Sequence, residues 1–266
     1  MVTGIINFKG GVAKTTTTTN LAAAIQKVGE KVLVIDTDAQ GNVANSLGFE
    51  YEDDGKILTT ASLMQNIKLD PLKAIQNGKF FDFIPNNVFA YARTNGLLNS
   101  KLLDHIISQL RPYYHHIIID TPPYLGLDTA NSIYASDVLL IVTDFSKGSM
   151  TGIKVLMSVL DSWHDKDVSN SFKNKAKAVL FTKYQKTTNI SKQLLASVEK
   201  SSDMGLILEE KIPYSISVVE ESYAGIPTSV GRPRTNVGKE YIKLAKTWIN
   251  ARELKVLVGA KHEINL

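Results

Sequence analysis

Residues Phe8 to Thr16 read FKGGVAKTT, and they stand between the apolar run Val2–Asn7 and a threonine-rich helix start. A glycine-rich turn leading from a buried strand into a helix aims backbone N–H groups at an anion. Lys14 supplies a point charge suited to β- and γ-phosphates, and Thr15 a hydroxyl suited to Mg²⁺. The stretch departs from the strict G-x-x-x-x-G-K-[ST] pattern, because Phe8 takes the place of the first glycine and Ala13 that of the second. K-G-G-x-x-K-T remains, with Lys9 as a second cation ahead of Lys14. Ala13 fits this turn if its φ is negative; a positive φ costs on the order of 1 kcal/mol.

Around this loop the chain alternates. Short apolar runs at Val2–Asn7, Val32–Asp36, Phe80–Pro85, Ile117–Asp120, Val138–Thr143, Ala178–Thr182 and Leu206–Ile212 read as strands. Thr16–Val28, Leu97–Leu110, Thr129–Ala135, Thr151–Trp163 and Ser191–Glu199 have helical spacing. Such alternation predicts an α/β fold, a mostly parallel twisted sheet with helices on both faces. The runs are nearly continuous in apolar residues, as strands covered on both sides require. Val237–Val258 reads as a final helix, Phe49–Gln76 as short helices, and Gly225–Arg234 as a loop with two prolines and two glycines. With no repeat or low-complexity linker, a single domain over 1–266 is expected.

Composition removes several classes. Apolar residues make up 44% and charged residues 21%, ordinary for a globular chain. No stretch approaches the ~18 uninterrupted apolar residues of a membrane span, and the immediate first strand leaves no room for a secretory signal. The chain has no cysteine, which excludes disulfides, thiolate metal sites and cysteine-bound iron–sulfur clusters. A cytoplasmic location is expected. Residues 1–160 carry 13 basic and 14 acidic side chains, whereas residues 161–266 carry 17 and 12. A basic C-terminal half suits a polyanion, although a solvated lysine-rich face has the same composition.

In an open parallel sheet, ligands gather at the carboxyl ends of the strands. The second run ends in VLVIDTDAQGN and the fourth in IIIDTPP, which places Asp36, Asp38 and Asp120 at the edge where the phosphate loop lies. Mg²⁺ takes one or two carboxylates together with phosphate and water oxygens, so Asp120 is suited to hold it directly or through water. Asp36 alone also fits a plain helix N-cap.

KGGVAKTT, DTDAQGN and IIIDTPP, in this order and spacing, resemble the ParA/MinD family of ATPases with a deviant Walker A motif. FTKYQKTTNISKQLLASVEK, KIPYSISVVEESYAGIPTSV and YIKLAKTW resemble later segments of its ParA members. The resemblance covers most of the chain and implies a P-loop NTPase fold that hydrolyses ATP with Mg²⁺. It implies nucleotide contacts from Lys9, Gly10, Gly11, Val12, Ala13, Lys14, Thr15 and Thr16, with Pro213 near the adenine. Thr15, Asp36 and Asp120 are then the metal side. Lys9, Lys14 and Asp38 are the catalytic residues: Lys9 reaches nucleotide held by a second subunit, and Asp38 positions the attacking water. The family usually has proline where this chain has Ala39, a change expected to soften the loop.

The missing cysteines, C-terminal tyrosine cluster and N-terminal helix-turn-helix narrow the resemblance to a short ParA that works with a separate ParB-like centromere-binding protein. It implies an ATP-dependent homodimer that binds DNA without sequence preference at the nucleoid. Lys183, Lys186, Lys192, Arg232, Arg234, Lys239, Lys243 and Lys246 are the candidate DNA contacts. The alternative is a MinD-like membrane-cycling ATPase anchored by the tail NARELKVLVGAKHEINL. Gly259 and Glu263 interrupt that tail, which also reads as a helix packed on its own core.

Overall fold

The computed structural model of the chain describes residues 1–50, 56–87, 99–162, 175–185 and 205–250. Within them the expected runs form strands β1 (Val2–Ile6), β2 (Val32–Asp36), β4 (Asp82–Ile84), β5 (His116–Asp120), β6 (Val138–Thr143), β7 (Ala176–Tyr184) and β8 (Leu206–Pro213). A two-residue strand, β3 (Gln76–Asn77), adds an edge that the sequence does not announce. The sheet order is β3-β4-β2-β5-β1-β6-β7-β8, parallel throughout except for the β3–β4 pair.

Side chains alternate between the two faces of each central strand, and each face has its own cover. Val32, Val34, Ile118 and Leu140 pack under α1 (Lys14–Lys27) and the long C-terminal helix, here α9 (Asn236–Ile249). Leu33, Ile35, Ile117 and Ile119 pack on the opposite side with Leu63 of α3 (Thr60–Gln65) and Leu103, Ile106, Ile107 and Leu110 of α4 (Leu102–Leu110). Further along that side, Leu139, Ile141, Val179 and Phe181 meet Ile133 of α5 (Leu127–Ala135) and Ile153, Leu156 and Leu160 of α6 (Lys147–Ser162). Burial on both sides is why these strands read as continuous apolar runs.

Several boundaries differ from expectation. α1 begins at Lys14 rather than Thr16, because the phosphate loop turns directly into it. Gly225–Arg234 is not wholly loop: Thr228–Gly231 forms a short helix, α8, started after Pro227, whose φ is −62°. Asn20 of α1 fixes this helix, its Oδ1 accepting from Ser229 N at 2.8 Å and its carbonyl accepting from Ser229 Oγ at 2.9 Å. Two further short helices are α2 (Asn42–Ser46) and α7 (Ser217–Tyr223). The final helix is described to Ile249. The remainder of its expected span, the helix expected over Ser191–Glu199, Lys186, Lys192 and the C-terminal tail lie outside the described residues.

Candidate nucleotide-binding site

The phosphate loop is shaped by two left-handed residues, Gly11 at φ +75° and Ala13 at φ +70°. Alternating left-handed turns make a concavity into which successive N–H groups point. Ala13 is therefore in the conformation that costs a residue with a Cβ about 1 kcal/mol. A Cβ built on Gly11 meets nothing within 4 Å, so the cradle is open on that side. Donors from the surrounding framework hold the outward carbonyls. Thr182 Oγ1 lies 2.9 Å from Val12 O, Lys183 Nζ 2.6 Å from Gly11 O, and Lys14 Nζ 3.2 Å from Lys9 O. Below the loop, buried Asn7 donates to Val142 O at 2.8 Å and accepts from Lys9 N at 3.0 Å.

Register decides the acidic side. Asp36 and Asp120 are direct Cα partners in the β2–β5 pairing, so both carboxylates leave the same edge, fully buried. Asp120 accepts from Thr15 Oγ1 and from Thr18 Oγ1, each at 2.7 Å. Burial raises its pKa to about 6, against the lowering effect of both hydroxyls and of Lys14. Burial and the neighbouring Asp120 push Asp36 well above the usual carboxylate range. Lys14 is also buried, and burial lowers its pKa while Asp120 and Asp38 raise it.

Asp36, expected on the metal side, meets backbone amides with both oxygens. Its Oδ1 accepts from Asp38 N at 2.9 Å and its Oδ2 from Val43 N at 3.1 Å. Both oxygens thereby organise the loop into α2. That loop ends at Gly41, where φ is +64° and an added Cβ would stand 2.6 Å from Asn86 O, so only glycine fits without a shift. Asp38, 5% exposed, holds Gln40 N with Oδ1 at 3.0 Å and lines the cavity.

The cavity, about 380 Å³, is bounded by Gly10, Gly11, Ala13, Lys14, Thr15, Thr16, Asp38, Pro213 and Lys183, among others. It thus brings together most of the predicted nucleotide residues, including Pro213 from the far end of the chain. Val12 is fully buried behind the loop. The donors fit Mg²⁺ bound with a nucleotide: the Thr15 hydroxyl, with Asp120 directly behind it, offers few protein ligands, and such an ion completes its shell with phosphate and water.

Lys9 points elsewhere. Its ammonium lies 3.3 Å from Asp144 Oδ1 and 3.4 Å from Oδ2, and it donates to Ser146 Oγ. Gly152 of α6 leaves room for Asn7 beneath the loop, since a Cβ built there would stand 2.9 Å from Asn7 Oδ1. Sequence reasoning missed Asp144, Ser146, Thr18 and Thr182. Asp144 stands one position past the run Val138–Thr143, so the strand-end rule that singled out Asp36 and Asp120 could have found it.

The expected DNA contacts divide. Lys183 sits on the phosphate loop. Arg232 is engaged on its own chain, 2.8 Å from Glu220 and 2.7 Å from Glu221. Lys243 lies 3.7 and 3.9 Å from Glu209 and Glu210. Arg234, Lys239 and Lys246 are exposed. Lys239, Lys243 and Lys246 form a stripe along α9, away from its buried Val237, Tyr241, Leu244 and Trp248.

Comparison with known proteins agrees with this picture. The family model AAA_31, an AAA domain, matches residues 1–174. The sporulation initiation inhibitor protein Soj of Bacillus subtilis is 28% identical over 258 residues, 92% of this chain and 96% of Soj. The septum site-determining protein MinD of Thermotoga maritima is 25% identical, covering 90% of this chain and 84% of MinD. The solved structure of MinD with Mg-ADP from Pyrococcus horikoshii OT3 superposes with a TM-score of 0.76 at 23% identity, over 96% of this chain and 98% of that one. With the family match covering well over half of the chain and the fold shared end to end, the chain belongs to the ParA/MinD family of P-loop ATPases.

Proposed function

We propose that the chain is a DNA-partitioning ATPase: it dimerises on ATP, binds DNA without sequence preference, and is released when a separate ParB-like protein stimulates hydrolysis. Residues 1–266 act as one ATPase domain, in the cytoplasm and on the nucleoid. The observation that carries the nucleotide part is the loop itself, two left-handed residues between Lys9 and Lys14, opening on the cavity that Thr15, Asp38 and Pro213 share.

Residues 9–16 cradle the phosphates with backbone N–H groups, and Lys14 neutralises charge on the β- and γ-phosphates. Thr15 holds Mg²⁺, and Asp120 fixes the Thr15 hydroxyl. Bound Mg²⁺ supplies positive charge toward the charge developing on the phosphates. Asp38 orients the attacking water, and orientation contributes more than basicity in phosphoryl transfer. Asp36 keeps Asp38 in place through its backbone amide. Pro213 packs near the adenine. Lys9 crosses to the nucleotide of the partner copy, which requires that it first leave Asp144 and Ser146 of its own chain.

The α9 stripe supports the DNA part, with Arg234 beside it. Such contacts are made to phosphates and weaken as salt rises. The test is binding to random duplex DNA in ATP and in ADP across a salt series, with Lys9→Ala and Asp38→Ala alongside. ATP-dependent, salt-sensitive binding is expected. Lys9→Ala should take up ATP without forming a productive dimer, and Asp38→Ala should persist as an ATP-bound dimer. DNA binding that ignores the nucleotide, or liposome pelleting that depends on residues 250–266, would overturn the partitioning role.

A further inference from the structure

We propose that Lys183 is a positioning residue of the phosphate loop, acting through the Gly11 carbonyl, and not one of the DNA contacts. The proposal rests on the reading of this cavity as the nucleotide site.

Lys183 is the one described residue besides Ala13 that is not glycine and has a positive φ, +54°. A left-handed lysine costs on the order of 1 kcal/mol, and such residues gather where a side chain must be aimed. The register between β7 and β8 shifts on both sides of Phe181, at Val179/Phe181 and Phe181/Tyr184. In an undisturbed strand, residues 181 and 183 would share a face. Phe181 is fully buried, whereas Lys183 is exposed and turns back over the phosphate loop to place Nζ 2.6 Å from Gly11 O.

A peptide unit is planar and trans, so its C=O and the following N–H point in opposite directions. Pinning the Gly11 carbonyl to Lys183 therefore aims the Val12 N–H the other way, into the concavity. Thr182 treats the next unit alike, since its hydroxyl at Val12 O aims the Ala13 N–H inward. Lys14 at Lys9 O does the same for the Gly10 N–H. Two consecutive residues at the end of β7 thus hold two consecutive peptide units of the loop in the orientation that receives an anion. Free to flip by rotation about ψ of Gly11 and φ of Val12, the Gly11–Val12 unit would present a carbonyl oxygen, and a residue without a Cβ resists the change in its ψ least.

The test uses the full chain and Mg-ADP, measured by calorimetry without DNA. Lys183→Asn removes the ammonium while keeping a residue that tolerates the left-handed region. It should weaken Mg-ADP binding about tenfold, the scale of one hydrogen bond from a charged group. Lys183→Arg should keep affinity within about threefold of wild type, since its guanidinium also donates to a carbonyl. Melting of both variants without nucleotide should match wild type, and their ATP-dependent DNA binding should keep the wild-type salt slope. A Lys183→Asn chain that binds Mg-ADP like wild type overturns the proposal. So does a loss of affinity shared by both variants together with a lowered nucleotide-free melting temperature, which is general damage to the fold. A wild-type chain that takes up no Mg-ADP overturns the nucleotide-site reading and this inference with it.

Discussion

Strand β5 begins on His116 and ends on Asp120, both buried and both titratable, and the protein treats its two ends differently. His116 Nδ1 has no hydrogen-bond partner, and burial lowers the pKa to about 4. The nearby amino terminus and His115 lower it too, while Glu30 raises it. Asp120 has two hydroxyl donors and Lys14 nearby, yet burial still raises its pKa to about 6. Both environments favour the neutral form, but the consequence differs at neutral pH. His116 is neutral there and incurs no charge penalty. Asp120 is mostly ionised there, beside buried Asp36, and so carries a cost in the nucleotide-free state. A buried group held against its preferred state, with donors gathered around it, marks the working end of the sheet.

The largest expected effect at that end is on ligand binding. Lys14→Ala should weaken Mg-nucleotide binding by about 100-fold or more, because a buried charge-assisted contact to phosphate is lost. Calorimetry checks it, and retained affinity would put the working end elsewhere.

Asp120→Asn comes next. An amide still pairs with the Thr15 and Thr18 hydroxyls, which can accept as well as donate. The buried charge disappears, so nucleotide-free stability near pH 7.5 should rise by about 1–3 kcal/mol. The sign follows from linkage. Between about pH 4 and about pH 6 the native chain binds a proton at Asp120 that the unfolded chain has released. Wild-type stability therefore falls as pH rises through that window, and the Asn variant should lack that contribution. Melts across pH read this, and Mg²⁺-dependent nucleotide binding should weaken in the same variant.

His116→Leu probes the other end with a smaller effect. With a native pKa of about 4, the unfolded chain takes up a proton first, so His116 lowers stability as pH falls from about 6.5 to about 4. The variant should lose that acid-side decline, change neutral stability by no more than about 1 kcal/mol, and leave nucleotide affinity alone. An affinity loss like that of Lys14→Ala would erase the contrast between the two ends.

Ala13→Gly should do least. It relieves about 1 kcal/mol of left-handed strain and restores about 0.5–1 kcal/mol of unfolded-state freedom, leaving a net change within about 0.5 kcal/mol. Urea unfolding measures it, and a gain well above that would show the loop to be more strained than a left-handed alanine requires.

The succession of strands and helices along the chain and the strand-end position of Asp36 and Asp120, with Asp38 just beyond, were legible because apolar runs that alternate with helical spacing are local features of the sequence. The two-residue strand β3 was not, since two residues carry no periodicity. The helix inside Gly225–Arg234 was hidden by its glycines and prolines, and its support comes from Asn20, 209 positions away. Among site residues, Thr15 and Asp120 could be named from motif and strand end, but nothing local said that their side chains bond to each other. The two backbone amides that meet the oxygens of Asp36 were not legible either, because only the folded loop brings them near.

The lysines draw the line most clearly. Sequence by itself established a phosphate loop with two lysines, three acidic residues at strand ends and a basic C-terminal half, because residue type and short-range spacing are local properties. It grouped Lys183 and Arg232 with the basic surface, since charge counting is blind to partners. The tertiary structure set Lys9 on Asp144, Lys183 on Gly11 and Arg232 on Glu220 and Glu221. Those assignments depend on sheet register, a shifted strand pairing and two positive φ angles, which are properties of the packed chain and are absent from any short stretch of it.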